Sequence, residues 1–131
     1  MSRRYPTLDE FIKKHLITPD FPKNSYVQEL GFRELYVRMT TRYINDERLA
    51  PVLDIAKAMA SKPGKGAFTK LLARLREQYP TLHIFAEQVL NDRFALRLEK
   101  LGFTKLNPNI HGESYFLKAR ARGEEQRANV G

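Results

Sequence analysis

Two periodicities organise the chain. Between Thr7 and Leu16, Leu8, Phe11 and Ile12 share one helical face with His15 at its margin, and Thr7 and Glu10 stand at capping-box spacing, so a short helix is predicted. Pro19 and Pro22 then break the chain around a loop, and Tyr26 to Leu30 reads as a helical turn. Glu34 to Ile44 is rich in β-formers and predicts a strand, with Asn45-Asp46-Glu47 as the turn after it. Leu49 to Met59 predicts the next strand. Val52, Asp54, Ala56 and Ala58 fall on one face, and Leu53, Ile55, Lys57 and Met59 on the other. Both faces are mostly apolar, which places this strand inside a sheet rather than at its edge.

From Phe68 the period changes. Phe68, Leu71, Leu72 and Leu75 repeat as one face of a helix that runs to about Tyr79 and stops before Pro80. Leu82 to Val89 predicts a second buried strand. Asn91 caps a helix with Phe94, Ala95, Leu98 and Leu101 on its apolar side, and Gly102 ends it. Phe103 to Leu106 is short and extended, Asn107 to Gly112 is a turn cluster, and Ser114 to Lys118 is a last strand. The fold class is α/β (α+β): a single domain over residues 1–118 with a mixed central sheet and flanking helices, followed by a disordered basic and polar tail over 119–131. The strands on either side of the Ser61–Phe68 loop should be parallel, joined by a right-handed crossover.

Composition narrows the partners. The chain has 131 residues, enough for one domain with a sizeable core. Its net charge of +8, from 23 Lys+Arg against 15 Asp+Glu, favours an anionic partner, with solubility alone as the bland alternative. Cysteine is absent, which excludes disulfides, thiol nucleophiles and Cys-based metal sites and fits a reducing cytoplasm. No apolar run approaches the roughly 20 residues of a membrane span, and none follows the N-terminus as a secretory signal would, so a cytoplasmic protein is expected.

The loop Ser61-Lys-Pro-Gly-Lys-Gly-Ala-Phe68 carries the chemistry. A strand that delivers a glycine loop to a helix N-terminus leaves backbone N–H groups free, and the helix dipole adds partial positive charge. Gly64 and Gly66 let a ligand approach the backbone, and Lys62 and Lys65 add full charges, so a phosphate or pyrophosphate is the expected guest. The Walker A pattern is not met. The dinucleotide fingerprint fails at its third glycine, where Thr69 stands.

Ser61-Lys-Pro-Gly64-Lys-Gly66 resembles the acetyl-CoA loop of the GNAT superfamily of N-acetyltransferases, Arg/Gln-x-x-Gly-x-Gly/Ala. Asn91 to Gly102-Phe103 resembles the family's second signature, and Glu87 to Asn91 with Ser114-Tyr-Phe116 looks more narrowly like a phage-type GNAT-like protein. The resemblance covers Leu35 to Leu117. It implies acetyl-CoA as cofactor. The backbone of Ala58, Met59 and Ala60 would pair with the pantetheine arm. Ser61, Lys62 and the N–H groups of Gly64, Lys65, Gly66 and Ala67 would hold the pyrophosphate. Asn91 would stand at the opening between splayed parallel strands. Two positions depart from the family: Ser61 replaces Arg or Gln, and Leu98 replaces the Tyr that protonates the leaving thiolate.

Amine acylation needs a neutral amine, a stabilised oxyanion and a proton for the thiolate. The catalytic candidates are Asp54, a carboxylate in an apolar strand; Glu87, on the paired strand; and Tyr115, as a replacement acid. Against these stand an Asp54–Arg ion pair, a bridging Glu87 and a Tyr115 that merely lines the core. His15, His83 and His111 have no metal-ligand spacing, and no metal is expected. The resulting expectation is an acetyl-CoA-dependent N-acetyltransferase acting on an amine, with a host protein as one acceptor. The alternatives are a catalytically inactive scaffold of the same fold that binds a host protein or nucleic acid, and a transferase acting on modified DNA bases. No membrane partner is expected, nucleic acid is the less favoured partner, and a homodimer is left open.

Overall fold

The strands form one six-stranded sheet in the order β1-β2-β3-β4-β6-β5. The structure, a computed structural model, describes residues 5–16, 22–87, 89 and 91–119. The strands are β1 (Lys23–Tyr26), β2 (Phe32–Ile44), β3 (Glu47–Ala60), β4 (His83–Ala86), β5 (Thr104–Lys105) and β6 (Tyr115–Leu117). The helices are α1 (Leu8–His15), α2 (Ala67–Gln78), α3 (Asp92–Lys100) and a single turn, α4 (Pro108–His111). The expected mixed sheet is present: β3 and β4 are parallel, and every other pair is antiparallel. β2 and β3 form a long hairpin whose turn places Asn45 and Asp46 at positive φ, 53° and 66°. Asn and Asp tolerate that conformation best among residues with a Cβ, which is why this pair makes the turn.

The alternation expected in the second strand holds as far as Ile55; a β-bulge at Ala56 then reverses it, so Lys57, opposite Tyr36, shares the face of Val52 and Asp54, and Ala58, opposite Leu35, lies on the helix side. Leu53 and Ile55 join the larger core cluster, with Val37 and Met39 from β2, Leu8, Phe11 and Ile12 from α1, Phe68 and Leu75 from α2, and Leu98 from α3. All three longer helices therefore bury their apolar sides against one sheet face. Val52 points to the other face, in a smaller cluster with Ile44, Leu49, Phe85, Leu106 and Phe116. Between α1 and α2, Arg74 binds Asp9 at 2.9 Å and Glu29 at 2.8 Å, and the Tyr79 hydroxyl donates to Asp9 at 2.8 Å.

The N-terminal helix is built as its sequence reads. Thr7 Oγ1 accepts from the Glu10 N–H at 3.1 Å, and Glu10 Oε1 accepts from the Thr7 N–H at 2.9 Å. Thr7→Ala is expected to cost about 1 kcal/mol of stability by removing one half of this box, while Thr7→Ser should keep it. Urea unfolding of the two variants checks this.

Other expectations need correction. Tyr26 to Leu30 is not a helical turn. Tyr26 ends β1, the Val27 N–H donates to the Leu35 carbonyl at 2.9 Å, and Gln28 bridges to Thr7. Pairing along the edge of β2 satisfies more backbone here than a lone helical turn would. The strand expected over Leu82 to Val89 stops at Ala86, because the Val89 N–H turns away to the Glu113 carbonyl at 2.7 Å. The turn cluster at Asn107 closes into α4, with Pro108 at its first position and Asn107 Oδ1 accepting from the Asn109 N–H. The loop around Pro19 lies outside the described residues. So does the expected tail apart from Ala119, whose N–H donates to His83 Nδ1 at 2.9 Å. Among the described residues, no helix is long and apolar enough to cross a membrane.

Candidate cofactor cleft

The cleft follows from strand lengths. β3 pairs with β4 only from Val52↔His83 to Ile55↔Ala86, with one further bond from the Glu87 N–H to the Ile55 carbonyl at 3.3 Å. β3 continues to Ala60, still paired on its other side with β2 through Leu35↔Ala58, Glu34↔Met59 and Phe32↔Ala60. The chain after Glu87 diverges toward Glu113, so among the described residues the stretch Ala56–Ala60 has no strand partner on that side. The split opens into a cleft of about 560 Å³. Ala58, Met59 and Ala60 line one wall, the loop residues Gly64, Gly66 and Ala67 its end, and Asn91, Arg93, Phe94 and Arg97 the wall opposite.

The loop's backbone geometry suits an anion. Gly64 and Gly66 have φ of 84° and 79°, the left-handed region where glycine is unstrained. A Cβ added at either glycine would meet nothing within 4 Å, so open space lies beside the backbone. Gly66 is the N-cap of α2, and no side chain caps the helix. The first N–H groups of α2 are thus left to a ligand or to water, and no acidic residue occupies the first turn.

Not all the expected cofactor residues face the same way. Ala58, Met59, Ala60, Gly64, Gly66, Ala67 and Asn91 meet at the cleft. Ser61, Lys62 and Lys65 instead line a neighbouring hollow of about 440 Å³ with Leu30, Gly31 and Lys70. The Ser61 N–H is tied to the Gly31 carbonyl at 2.9 Å, which anchors the start of the loop. Asn91 Oδ1 accepts from the Phe94 N–H at 3.0 Å and so caps α3, leaving its amide nitrogen for the cleft. Arg93 and Arg97 escaped the sequence reading. Their i, i+4 spacing just after the Asn91 cap puts them on one helix face, a signal that was available. Among the described residues neither makes an ion pair, and Arg97 reaches Thr69 Oγ1 on α2 at 3.3 Å.

The expected catalytic residues sit around the foot of the split. Asp54 is fully buried on the face of β3 away from the long helices, and its Oδ2 accepts from Arg38 Nη1 at 3.0 Å and from Arg42 Nη2. Glu87 Oε2 accepts from the same Arg38 Nη1 at 2.8 Å. Arg42 lies over the Phe85 ring, 3.7 Å from its centre. The Asp54–arginine pairing and the bridging Glu87 are both present, while neither carboxylate lines the cofactor cleft. Burial, then the hydrogen bond shared with Glu87, raises Asp54 to about 7 in spite of Arg42. Burial also pushes Glu87 up, but the Asp54 hydrogen bond and Arg38 outweigh it and hold Glu87 below its ordinary value. Below about pH 7 the proton of the pair therefore sits on Asp54, beside a partly exposed Glu87 that stays ionised. Tyr115 is buried on the helix side of β6, opposite Ala86, and Leu98 is fully buried in the core.

Asp54 has a consequence for stability. Between its ordinary value of 3.8 and its folded value of about 7, the folded chain holds a proton that the unfolded chain has released. Stability therefore falls as pH rises through this window, and the loss is complete above about 7. Glu87 acts in the opposite sense, at lower pH. Unfolding free energies measured across pH should show the fall, and Asp54→Asn should remove it.

None of the protein-family models compared matches the chain, and no curated protein matches it. Among solved structures, a chain of the KacTA–DNA complex aligns at 18% identity with a TM-score of 0.49, covering 95% of this chain and 85% of that one. A likeness that distant carries no argument about activity. The expectation of membership in the GNAT superfamily, and in a phage-type branch of it, is corrected accordingly. The glycine loop and the Asn91–Phe103 segment are local similarities that no family match extends. The departures at Ser61 and Leu98 point the same way.

Proposed function

We propose that this chain transfers an acyl group from acyl-CoA, with acetyl-CoA as the simplest donor, to an amine. The observation that carries the reading is the unpaired edge of β3 from Ala56 to Ala60, which runs along an open cleft into an uncapped helix N-terminus. An extended arm with amide groups can hydrogen-bond that edge as a strand would, and a pyrophosphate can take the free N–H groups at its end. The open space beside Gly64 and Gly66 fits such a guest, and Arg93 and Arg97 supply countercharge from α3.

Bound acyl-CoA supplies an activated thioester. The protein holds its chain along β3 and excludes water with Phe94 and Phe68. Glu87, at the foot of the split, takes the proton from the attacking amine. Asp54, out of a substrate's reach, is a positioning residue: it shares its proton with Glu87 and is held by Arg38 and Arg42. As the new C–N bond forms the C–S bond breaks, and the CoA thiolate leaves into the open cleft, where water protonates it; Tyr115, buried opposite Ala86, does not line the cleft.

The test is thiol release. The chain has no cysteine, so a thiol reagent sees only free CoA. Incubation with acetyl-CoA and a panel of amines, from polyamines to lysine peptides, should give release that depends on both protein and amine. A second reading, a cleft that binds without turnover, is favoured by its lining, which among the described residues includes no carboxylate, histidine or tyrosine. It requires tight acetyl-CoA binding with no thiol release across the panel.

A further inference from the structure

The sheet face away from the long helices carries a feature that acyl transfer does not use. Tyr5, Tyr26 and Tyr36 stand in a row across it. The ring centres of Tyr5 and Tyr26 are 5.5 Å apart, and those of Tyr26 and Tyr36 are 4.7 Å apart. Register explains the row: Tyr26 lies directly opposite Tyr36, and Tyr36 directly opposite Lys57. Val37, the next residue of β2, is in the helix-side core, so Tyr36 faces the other way. Tyr5 is half-exposed, and Tyr5, Tyr26 and Arg33 line a groove of about 1130 Å³ along the β1 edge. One step along the sheet from the tyrosines come Arg38 and Arg42, each with about a quarter of its side chain exposed. The charged groups here are paired with one another, Glu34 with Lys57 at 2.8 Å, Asp54 with Arg38 and Arg42, Glu87 with Arg38, and Asp9 and Glu29 with Arg74, so a phosphate at Lys57, Arg38 or Arg42 binds in competition with a carboxylate, while Arg33 lines the groove beside the tyrosines.

We infer that this face binds single-stranded nucleic acid, with bases stacked on Tyr5, Tyr26 and Tyr36 and phosphates held by Arg33, Arg38, Arg42 and Lys57. A sheet with helices on one side and aromatic rings on the other offers stacking to any base, because every base has a π-face. Cations set beside the rings then track the backbone. The chain's net charge of +8 suits a polyanion, and an extended row of rings suits a strand better than a duplex, whose bases are hidden. The tyrosine row stands apart from acyl transfer, while Arg38 and Arg42 belong to both sites. If both hold, an amine carried on the strand comes to the split beside Glu87, because the row ends at Lys57, just past the last β3–β4 pair.

The experiment is a titration with a fluorescein-labelled 12-nucleotide single strand, together with its duplex, at several salt concentrations. Because there is no tryptophan, quenching of the intrinsic tyrosine emission reads stacking directly. The expected result is single-strand binding that weakens steeply with salt, accompanied by tyrosine quenching. Tyr26→Ala should weaken it roughly tenfold or more, and Tyr26→Phe should keep it. Tyr43→Ala, at an exposed tyrosine outside the row, should leave it unchanged. Circular dichroism confirms that each variant is folded. Equal binding of the duplex, equal binding of poly-glutamate, or indifference to Tyr26→Ala would each overturn the inference, leaving a merely basic surface or a site for acidic protein.

Discussion

Gly66→Asp is expected to abolish acetyl-CoA binding while the fold survives. Two facts make the substitution selective. The position has φ of 79°, which Asp adopts better than most residues, and an added Cβ meets nothing within 4 Å. The new carboxylate would instead stand at the N-cap of α2, where the free N–H groups gather. It would repel an incoming pyrophosphate, and the strain of a side chain at this φ should cost about 1 kcal/mol of stability, which leaves the variant folded. A loss of at least a hundredfold in affinity is expected, about 3 kcal/mol. Gly66→Ala separates strain from charge. It should cost about 1 kcal/mol of stability and much less affinity. Calorimetric titration and thermal unfolding of both variants check the pair of outcomes.

Glu87→Gln is expected to lower kcat by roughly a hundredfold to ten-thousandfold, the usual worth of a general base, and to leave acetyl-CoA affinity unchanged. The amide keeps the size and the hydrogen bond from Arg38 but cannot take a proton. Asp54→Asn should act differently. It should leave a measurable rate and shift the pH profile, because the proton it holds next to Glu87 is removed. If Glu87 merely bridges β4 to Arg38, Glu87→Gln would leave kcat within a few-fold of the parent.

Much of the fold could be read from periodicity. The alternation of Val52, Asp54 and Leu53, Ile55 assigned both faces of β3 as far as Ile55, beyond which the bulge at Ala56 reversed them, and the Phe68–Leu75 stripe gave α2 and its buried side. Thr7, Asn91 and Gly102 marked helix ends because capping is local chemistry. What failed was non-local. Tyr26 to Leu30 became edge strand because β2 offered its backbone, which no local pattern announces. The early end of β4, the event that opens the cleft, is set by where Val89 finds Glu113. At the site, the loop glycines were legible as positions of free backbone beside open space, and Asp54 as a buried carboxylate. That Lys62 and Lys65 turn to a different hollow from Gly64 and Gly66 depends on the loop's three-dimensional path. Arg38 and Arg42 were legible in principle, since a carboxylate buried in an apolar strand calls for a cation on the neighbouring one.

The measurement that bears most directly on the central claim is a calorimetric titration with acetyl-CoA at near-physiological salt, with ATP as the polyanion control. A shaped cleft along β3 should give micromolar acetyl-CoA binding and much weaker ATP binding, because only the former has an arm to lay along Ala56–Ala60. Equal, weak binding of both would contradict it and reduce the loop from Ser61 to Ala67 to a basic surface.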